Sequence, residues 1–266
     1  MSAGGERRSA SAVPATERFT DRAGDYVRFR PDYPAAAVTA ILEGLGDPSL
    51  LAAADIGAGT GIASRLLAER GVRVVAVEPN AAMREAAAPH PRVEYRDGTA
   101  ERTGLAAASV DLIVCAQSFH WFDPERALTE LRRVLRPGGR LAILWNERRE
   151  GDAFTGAYSR LVAEVAPDRT EARRDGLAPD LLHGGFSEVR CLELAHGQRL
   201  TAEGLVGRAL SASYMPRRGE ESTDLRRRLR ELHARFAEGS GEVRLIYRTV
   251  LHRARLGEAR AVRLRR

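Results

Sequence analysis

The chain has 266 residues, 44% of them hydrophobic and 29% charged, with 25 Gly and 12 Pro; this composition excludes collagen-like and disordered classes and fits one large globular core. The net charge is +6 and every one of the 42 basic residues is arginine, with residues 214–266 carrying 15 arginines against 7 acids. Such a basic end can attract nucleic acid or anionic lipid, so that possibility has to be weighed against the pattern around it.

Residues 1–18 are Ser, Ala, Gly and Arg without an apolar stretch of secretory length, and read as a flexible tail. No later run reaches the roughly 18 apolar residues of a membrane span. Cys115 and Cys191 sit in apolar runs without metal-ligand spacing, and read as small buried hydrophobes in a reducing, cytoplasmic setting. No metal site is expected.

In chain order, Val38, Ile41, Leu42 and Leu45 give a helix opened by Pro34 and stopped at Gly46-Asp47-Pro48. Leu50 to Ile56 reads as a buried strand, Ile62, Leu66 and Leu67 carry a helix to Gly71, and Val72 to Val77 is a second strand. Arg92 to Arg96, Val110 to Ala116 and Arg140 to Trp145 follow as strands, the last after a helix closed by Pro137-Gly138-Gly139. Alternating strands and helices predict an α/β domain with a parallel sheet. Residues 19–147 form the core of this reading. Residues 148–266 supply a helical insertion or cap and the remaining strands of the same domain.

In that second half, the polar stretch Arg148 to Pro179 has only a weak helix around Tyr158, Leu161, Val162 and Val165, which predicts a lid without a core of its own. Phe186 to Leu194 and Val243 to Leu256 read as strands, separated by helices near Thr201 to Leu210 and Asp224 to Phe236. The strict period two of Val243, Leu245, Tyr247, Thr249 and Leu251 predicts an antiparallel or half-exposed strand at the sheet edge. The arginines 226–228, 230 and 235 could track the phosphate backbone of a nucleic acid. Leu225, Leu229, Leu232 and Phe236 fall at i, i+4, i+7 and i+11, however, so the arginines form the outer face of an amphipathic helix without stacking aromatics.

The densest chemistry lies at Asp55-Ile56-Gly57-Ala58-Gly59-Thr60-Gly61, where a strand runs through glycines into a helix and its backbone N–H groups can face a polar or anionic ligand. The dinucleotide fingerprint wants a small residue where Ile62 stands, which disfavours a pyrophosphate and a nicotinamide dehydrogenase. Glu78 ends the second strand, placed to accept both hydroxyls of a ribose.

Together with Val77-Glu78-Pro79-Asn80, Gly98-Thr99-Ala100-Glu101, Ser109 to Val114 followed by Gln117-Ser-Phe-His-Trp121, and Arg133-Val-Leu-Arg-Pro-Gly-Gly139, this loop resembles the class I S-adenosylmethionine-dependent methyltransferases. The resemblance is to the type 11 domain and its trans-aconitate-like relatives, and it covers Phe19 to Asn146 best. It implies a Rossmann-like, doubly wound sheet of seven strands, mostly parallel with the seventh antiparallel, plus a helical cap. It implies S-adenosyl-L-methionine as cofactor, held by Asp55, Gly57, Ala58, Gly59 and Gly61, by Glu78 on the ribose, and by Pro79, Asn80 and Met83 near the adenine. In the segment Gly98 to Glu101, Thr99 stands where relatives often carry an acid, leaving Asp97, Glu101 or the Ala100 backbone as adenine partner. Gln117 and His120 would face the sulfonium and the substrate.

Methyl transfer mainly requires alignment of nucleophile, methyl carbon and sulfur, and exclusion of water. A carboxylate acceptor needs no base. A hydroxyl or amine does, and His120 is the candidate unless it packs beside Trp121 as a loop element. Arg30 could clamp an acidic substrate or the cofactor carboxylate, and Tyr26 and Tyr33 offer aromatic faces to a sulfonium, or to the core. The expected function is methyl transfer to a carboxylate or hydroxyl oxygen of a small-molecule substrate, by a monomer or homodimer without nucleic-acid or membrane partners. The alternatives are RNA methylation and a non-catalytic cofactor-binding module.

Overall fold

A computed structural model describes residues 23–166, 185–237, 239 and 241–257. The tail 1–18 and the end of the polar stretch, 167–179, lie outside the described residues. The apolar runs become β1 (Ala52–Ile56), β2 (Arg73–Val77), β3 (Val93–Arg96), β4 (Val110–Ala116), β5 (Leu135–Arg148), β6 (Phe186–Leu200) and β7 (Val243–Leu256), in one sheet ordered β3-β2-β1-β4-β5-β7-β6. β7 is antiparallel to both its neighbours, and the pairs from β3 through β5 are parallel.

Period two explains why the inner strands are apolar throughout. On β4, Leu112 and Val114 face one side with Val74, Leu67 and Ile41, while Ile113 and Cys115 face the other with Val77, Leu128 and Leu131. Both faces are covered by helices, so neither set of alternate residues can be polar. The helices α2 (Ala35–Leu42) and α3 (Ile62–Ala68) cover the first face, and α5 (Pro124–Val134) covers the second. Two short helices, α1 (Ala23–Phe29) and α4 (Ala81–Glu85), stand at the carboxyl ends of the strands. The strand order reverses between β1 and β4, and in open α/β sheets ligands bind outside the carboxyl ends at such a switch point.

Three expectations are corrected. β7 is not the edge strand: β6 adds outside it, running to Leu200 rather than Leu194, and its alternation reflects one buried and one half-covered face. The cap has a core of its own. On α6 (Ala153–Val165), Phe154, Tyr158, Leu161 and Val162 recur at i, i+4, i+7 and i+8 and pack against α7 (Ala202–Leu210), α8 (Gly219–Phe236) and β7. Gly156 and Ser159 dilute that stripe in the sequence, and the Asp152 side chain starts the helix by accepting from the Thr155 N–H at 2.8 Å. Finally, Cys115 is buried but Cys191 is exposed, because it lies on the edge strand. Among the described residues no helix is long and apolar enough to cross a membrane.

Candidate active site

The carboxyl ends of β1, β2 and β4 open into a cleft lined by Tyr26, Gly57, Gly59, Glu78, Pro79, Asn80, Met83, Thr99, Ala100, Glu101, Gln117, Ser118, Trp121 and Phe122, with Ala116 at its base. Most of this surface is apolar, with few polar groups to orient a ligand, as small-molecule sites usually are. All of these residues except Ala116, Ser118, Trp121 and Phe122 are legible as site candidates from their motifs; those four are not.

The glycine loop does less hydrogen bonding outward than expected. Gly57 and Ala58 donate to the Val77 carbonyl at 2.8 and 3.2 Å, Gly61 donates to the Ala58 carbonyl at 2.9 Å, and Gly59 donates to Glu78 Oε2 at 2.8 Å. With those four donors consumed, the loop is poorly equipped to cradle a pyrophosphate, and its glycines serve close packing instead. At Gly57 the backbone is left-handed (φ 66°), and a Cβ there would fall 2.7 Å from Ser118 Cβ. Ser118 is itself fixed by donating to the Ile56 carbonyl at 2.7 Å, so β1 and β4 are pinned together at the cleft floor.

Glu78 is 8% exposed. Its two carboxylate oxygens accept from the Gly59 and Asn80 N–H groups at 2.8 and 2.9 Å, and each retains a lone pair for another donor. Burial raises its pKa, opposed by those two backbone donors and the Arg84 charge. A carboxylate locked in this way at the mouth of an apolar cleft suits a pair of vicinal hydroxyls. Beyond it, the Asn80 side chain caps α4 by accepting from the Met83 N–H at 3.2 Å, which sets Met83 against the cleft.

On the opposite wall, Thr99 and Arg102 exchange backbone hydrogen bonds, and the resulting turn presents Ala100 and Glu101 to the cleft. Glu101 Oε1 accepts from the Asp123 N–H at 2.9 Å. Asp97 is 77% exposed, pairs with Arg84 at 3.1 Å and is absent from the lining, which leaves the Thr99–Glu101 turn facing the site. Gln117 holds a left-handed backbone (φ 57°) although it is not glycine, and its Nε2 donates to the Asn146 carbonyl at 3.3 Å. Strain of this kind concentrates at functional sites.

Several candidates stand off the cleft surface. Asp55 is buried beneath the loop, where its Oδ2 accepts from Ser64 Oγ at 2.6 Å and burial pushes its pKa up to about 6. Ala58 and Gly61 shape the loop from behind. Tyr33 is packed in the core with Val38 and Ile41. His120 lies in the short turn Phe119–Trp121, beside Trp121 (ring centroids 4.8 Å apart), and its Nδ1 accepts from Trp145 Nε1 at 3.4 Å. Trp121, not His120, lines the cleft. Arg30 stacks 4.7 Å from the Tyr26 ring centroid and donates to the Ser211 carbonyl at 3.3 Å, behind the tyrosine that reaches the cleft.

Comparison with known proteins decides the family. A methyltransferase domain profile matches residues 54–143, from β1 through the middle of β5. Methyltransferases of Mycobacterium tuberculosis and Mycobacterium bovis, themselves uncharacterized, are 36% identical over 243 residues, covering 90% of this chain and 95% of theirs. The chain belongs to the class I S-adenosylmethionine-dependent methyltransferases. Solved structures agree. A protein of Anaeromyxobacter dehalogenans designated a type II methyltransferase is 29% identical, with a TM-score of 0.63 over 87% of this chain and 100% of its own. Another, from Anabaena variabilis, designated a methyltransferase from an antibiotic biosynthesis pathway, is 25% identical with a TM-score of 0.59 over 84% and 98%. S-adenosylmethionine is therefore the cofactor of this methyltransferase, and the cleft is compatible with it: a buried carboxylate, Glu78, stands at its mouth, and Pro79, Met83 and Ala100 give it an apolar wall.

Proposed function

We propose that this methyltransferase methylates an oxygen of a small molecule, a carboxylate first and a hydroxyl second, with the trans-aconitate-like relatives as its subtype. The observation that carries this reading is the set of ionisable groups at the cleft. Among the described lining residues these are Tyr26, Glu78 and Glu101, and Glu78 is committed to two backbone donors. A carboxylate nucleophile releases no proton on methylation, so such a site needs no base. His120 suits the same reading: it stands off the cleft lining beside Trp121, with its Nδ1 accepting from Trp145 Nε1 at 3.4 Å.

The bound cofactor supplies a methyl group already activated on a sulfonium. Glu78 would hold the ribose diol, and Met83, Pro79 and the Thr99–Glu101 turn would flank the adenine. Gly57 and Gly59 let the backbone approach the methionyl end. Tyr26, Trp121 and Phe122 exclude water and present aromatic faces, which attract cations. Arg30, behind Tyr26, would attract an acidic acceptor.

The basic C-terminal helix does not favour RNA. On α8, Arg227 pairs with Asp224 at 2.5 Å and Glu231 at 2.6 Å, Arg228 with Glu164, and Arg230 with Glu203 at 2.9 Å. Arginines held by carboxylates are poor phosphate ligands, which supports a small-molecule partner. The exposed free thiol of Cys191 suits a reducing, cytoplasmic compartment. The test is transfer of labelled methyl from S-adenosylmethionine to a panel of carboxylic acids, phenols and a structured RNA. A base-labile ester product from an acid is expected; labelled RNA with unlabelled acids and phenols would contradict the reading.

A further inference from the structure

Where β5, β7 and β6 run side by side at the end of the sheet away from the cofactor cleft, their register sets arginine against arginine. Arg140 on β5 lies beside Leu112, near the amino end of β4, and stands opposite Arg255 on β7. Arg253 on β7 stands opposite Arg190 on β6. Like charges directly opposite each other across a sheet destabilise the pairing. Elsewhere on the same strands the ordinary arrangement holds: Arg248 stands opposite Glu147 and pairs with it at 2.7 Å, and with Glu193 at 3.0 Å. Alternate residues share a face, so all four arginines project to the side that α2 covers. They line one cavity together with Glu43 and Glu188, and none of these residues lines the cofactor cleft.

Two of these guanidinium groups have an evident structural task. Arg140 Nη1 donates to the Ile41 and Glu43 carbonyls at 2.7 Å each, and Arg253 reaches the Ala40 carbonyl and, at 2.6 Å, the Glu43 carboxylate. Both are buried, and both close the end of α2. That task does not account for the other two. Arg255 donates to the Gly138 carbonyl at 3.2 Å and stands 3.9 Å from Glu188. The Arg190 side chain lines the cavity without a hydrogen bond or ion pair among the described residues. Four guanidinium charges thus face two exposed carboxylates. Burial, and then the charges of Arg253 and Arg255, lower the pKa of Arg140, as an excess of positive charge requires. β6 also bulges between Ser187 and Arg190, where Glu188 holds a left-handed backbone (φ 51°). Bulges re-aim side chains beside functional sites, and strain of this kind persists where the surroundings enforce it.

We infer that Arg140, Arg190, Arg253 and Arg255 form an anion site for the phosphate group of a small ligand, at the end of the sheet opposite the cofactor cleft. The surplus of positive charge over the two carboxylates matches a dianion. Guanidinium donors arriving from three strands suit the several oxygens of a tetrahedral phosphate better than the two of a planar carboxylate. Arg140 and Arg253, fixed by their bonds to α2, give the site a rigid floor, and Arg190 and Arg255 meet the ligand from the rim. An anion seated among them relieves the repulsion that the strand register imposes, and so stabilises the fold. The site is separate from methyl transfer and stands or falls independently of the acceptor.

The test is thermal melting and calorimetric titration of the full chain, at constant ionic strength, with inorganic phosphate, glycerol 1-phosphate and acetate. The two phosphates should raise Tm saturably, and acetate should not. Glycerol 1-phosphate binding at least as tightly as inorganic phosphate assigns the site to a phosphomonoester; weaker binding assigns it to free phosphate. Arg190→Gln and Arg255→Gln spare the two arginines that close α2. Each should weaken phosphate binding about tenfold, the loss of one charge-assisted hydrogen bond, and leave S-adenosylhomocysteine affinity within about twofold. Arg190→Glu should abolish phosphate binding yet melt higher than the wild type in phosphate-free buffer, because it sets a carboxylate opposite Arg253. A wild type that phosphate does not stabilise, or that acetate stabilises equally, would overturn the site. Unchanged phosphate affinity in Arg190→Gln and Arg255→Gln would overturn it as well, and so would a parallel loss of S-adenosylhomocysteine affinity, which would move the anion to the cofactor cleft.

Discussion

Replacing Glu78 by alanine removes the one carboxylate that joins the glycine loop, the start of α4 and the cofactor cleft. In the structure its oxygens accept from Gly59 and Asn80, and under the proposed reading the remaining lone pairs would accept from a ribose. A hydrogen bond to a charged group contributes about 1.5–3 kcal/mol. Losing two at the low end of that range costs about 3 kcal/mol, so affinity for S-adenosylhomocysteine should fall about 100-fold. The Gly59 and Asn80 N–H groups would also lose their acceptor, at about 1–3 kcal/mol each unless water enters the space left behind. Glu78→Gln keeps the shape but turns an NH₂ toward one of those two donors, so it should bind nearly as poorly as alanine. Calorimetric titration, with a urea melt of each variant to confirm folding, reads both effects. A folded Glu78→Ala protein that binds S-adenosylhomocysteine within threefold of the wild type would refute the reasoning.

Gly207→Ala should push α1 away from α7, because its Cβ would overlap Phe29 at 2.3 Å; with Tyr26 displaced, S-adenosylhomocysteine affinity should drop severalfold, measured by the same titration. Ser118→Ala strips the donor from the buried Ile56 carbonyl and should lower stability by about 1–3 kcal/mol in urea denaturation. Asp55 gives a pH signature. Its folded pKa is raised from 3.8 to about 6 by burial, against the opposing hydrogen bond from Ser64, so its contribution to stability is present below about pH 4 and is lost as pH rises through about 6. The amide introduced by Asp55→Asn does not titrate. The stability of that variant relative to wild type should therefore climb by about 2–2.5 kcal/mol between pH 4 and pH 7; a difference constant over that window would contradict the assigned burial.

The inner strands and the cofactor loop were legible in the sequence because burial on both faces leaves continuous apolar runs, and because a strand, three glycines and a terminal carboxylate are contiguous or nearly so. Glu78 could be found from its place at the end of β2. Two kinds of feature were not legible. The order of β6 and β7 depends on pairing between segments that are 43 or more residues apart, from Leu200 to Val243, and alternation alone gives no neighbour. Ser118, Trp121 and Phe122 reach the cleft because the turn after β4 folds back over Gly57, a contact with no sequence spacing to announce it. His120 and Trp121 illustrate the limit: the two rings pack side by side on a tight turn, only Trp121 lines the cleft, and the sequence favoured the more reactive one. Arg140, Arg190, Arg253 and Arg255 carried no signal at all in a chain whose every basic residue is arginine, and only the register of β5, β6 and β7 brings them together.

The most direct measurement is a crystal structure of the protein with S-adenosylhomocysteine. The account predicts the ribose hydroxyls on Glu78, the adenine between Met83 and the Thr99–Glu101 turn, and the sulfur facing Tyr26 and Gln117. A ligand bound elsewhere, or one that leaves Glu78 without a ribose contact, would contradict it.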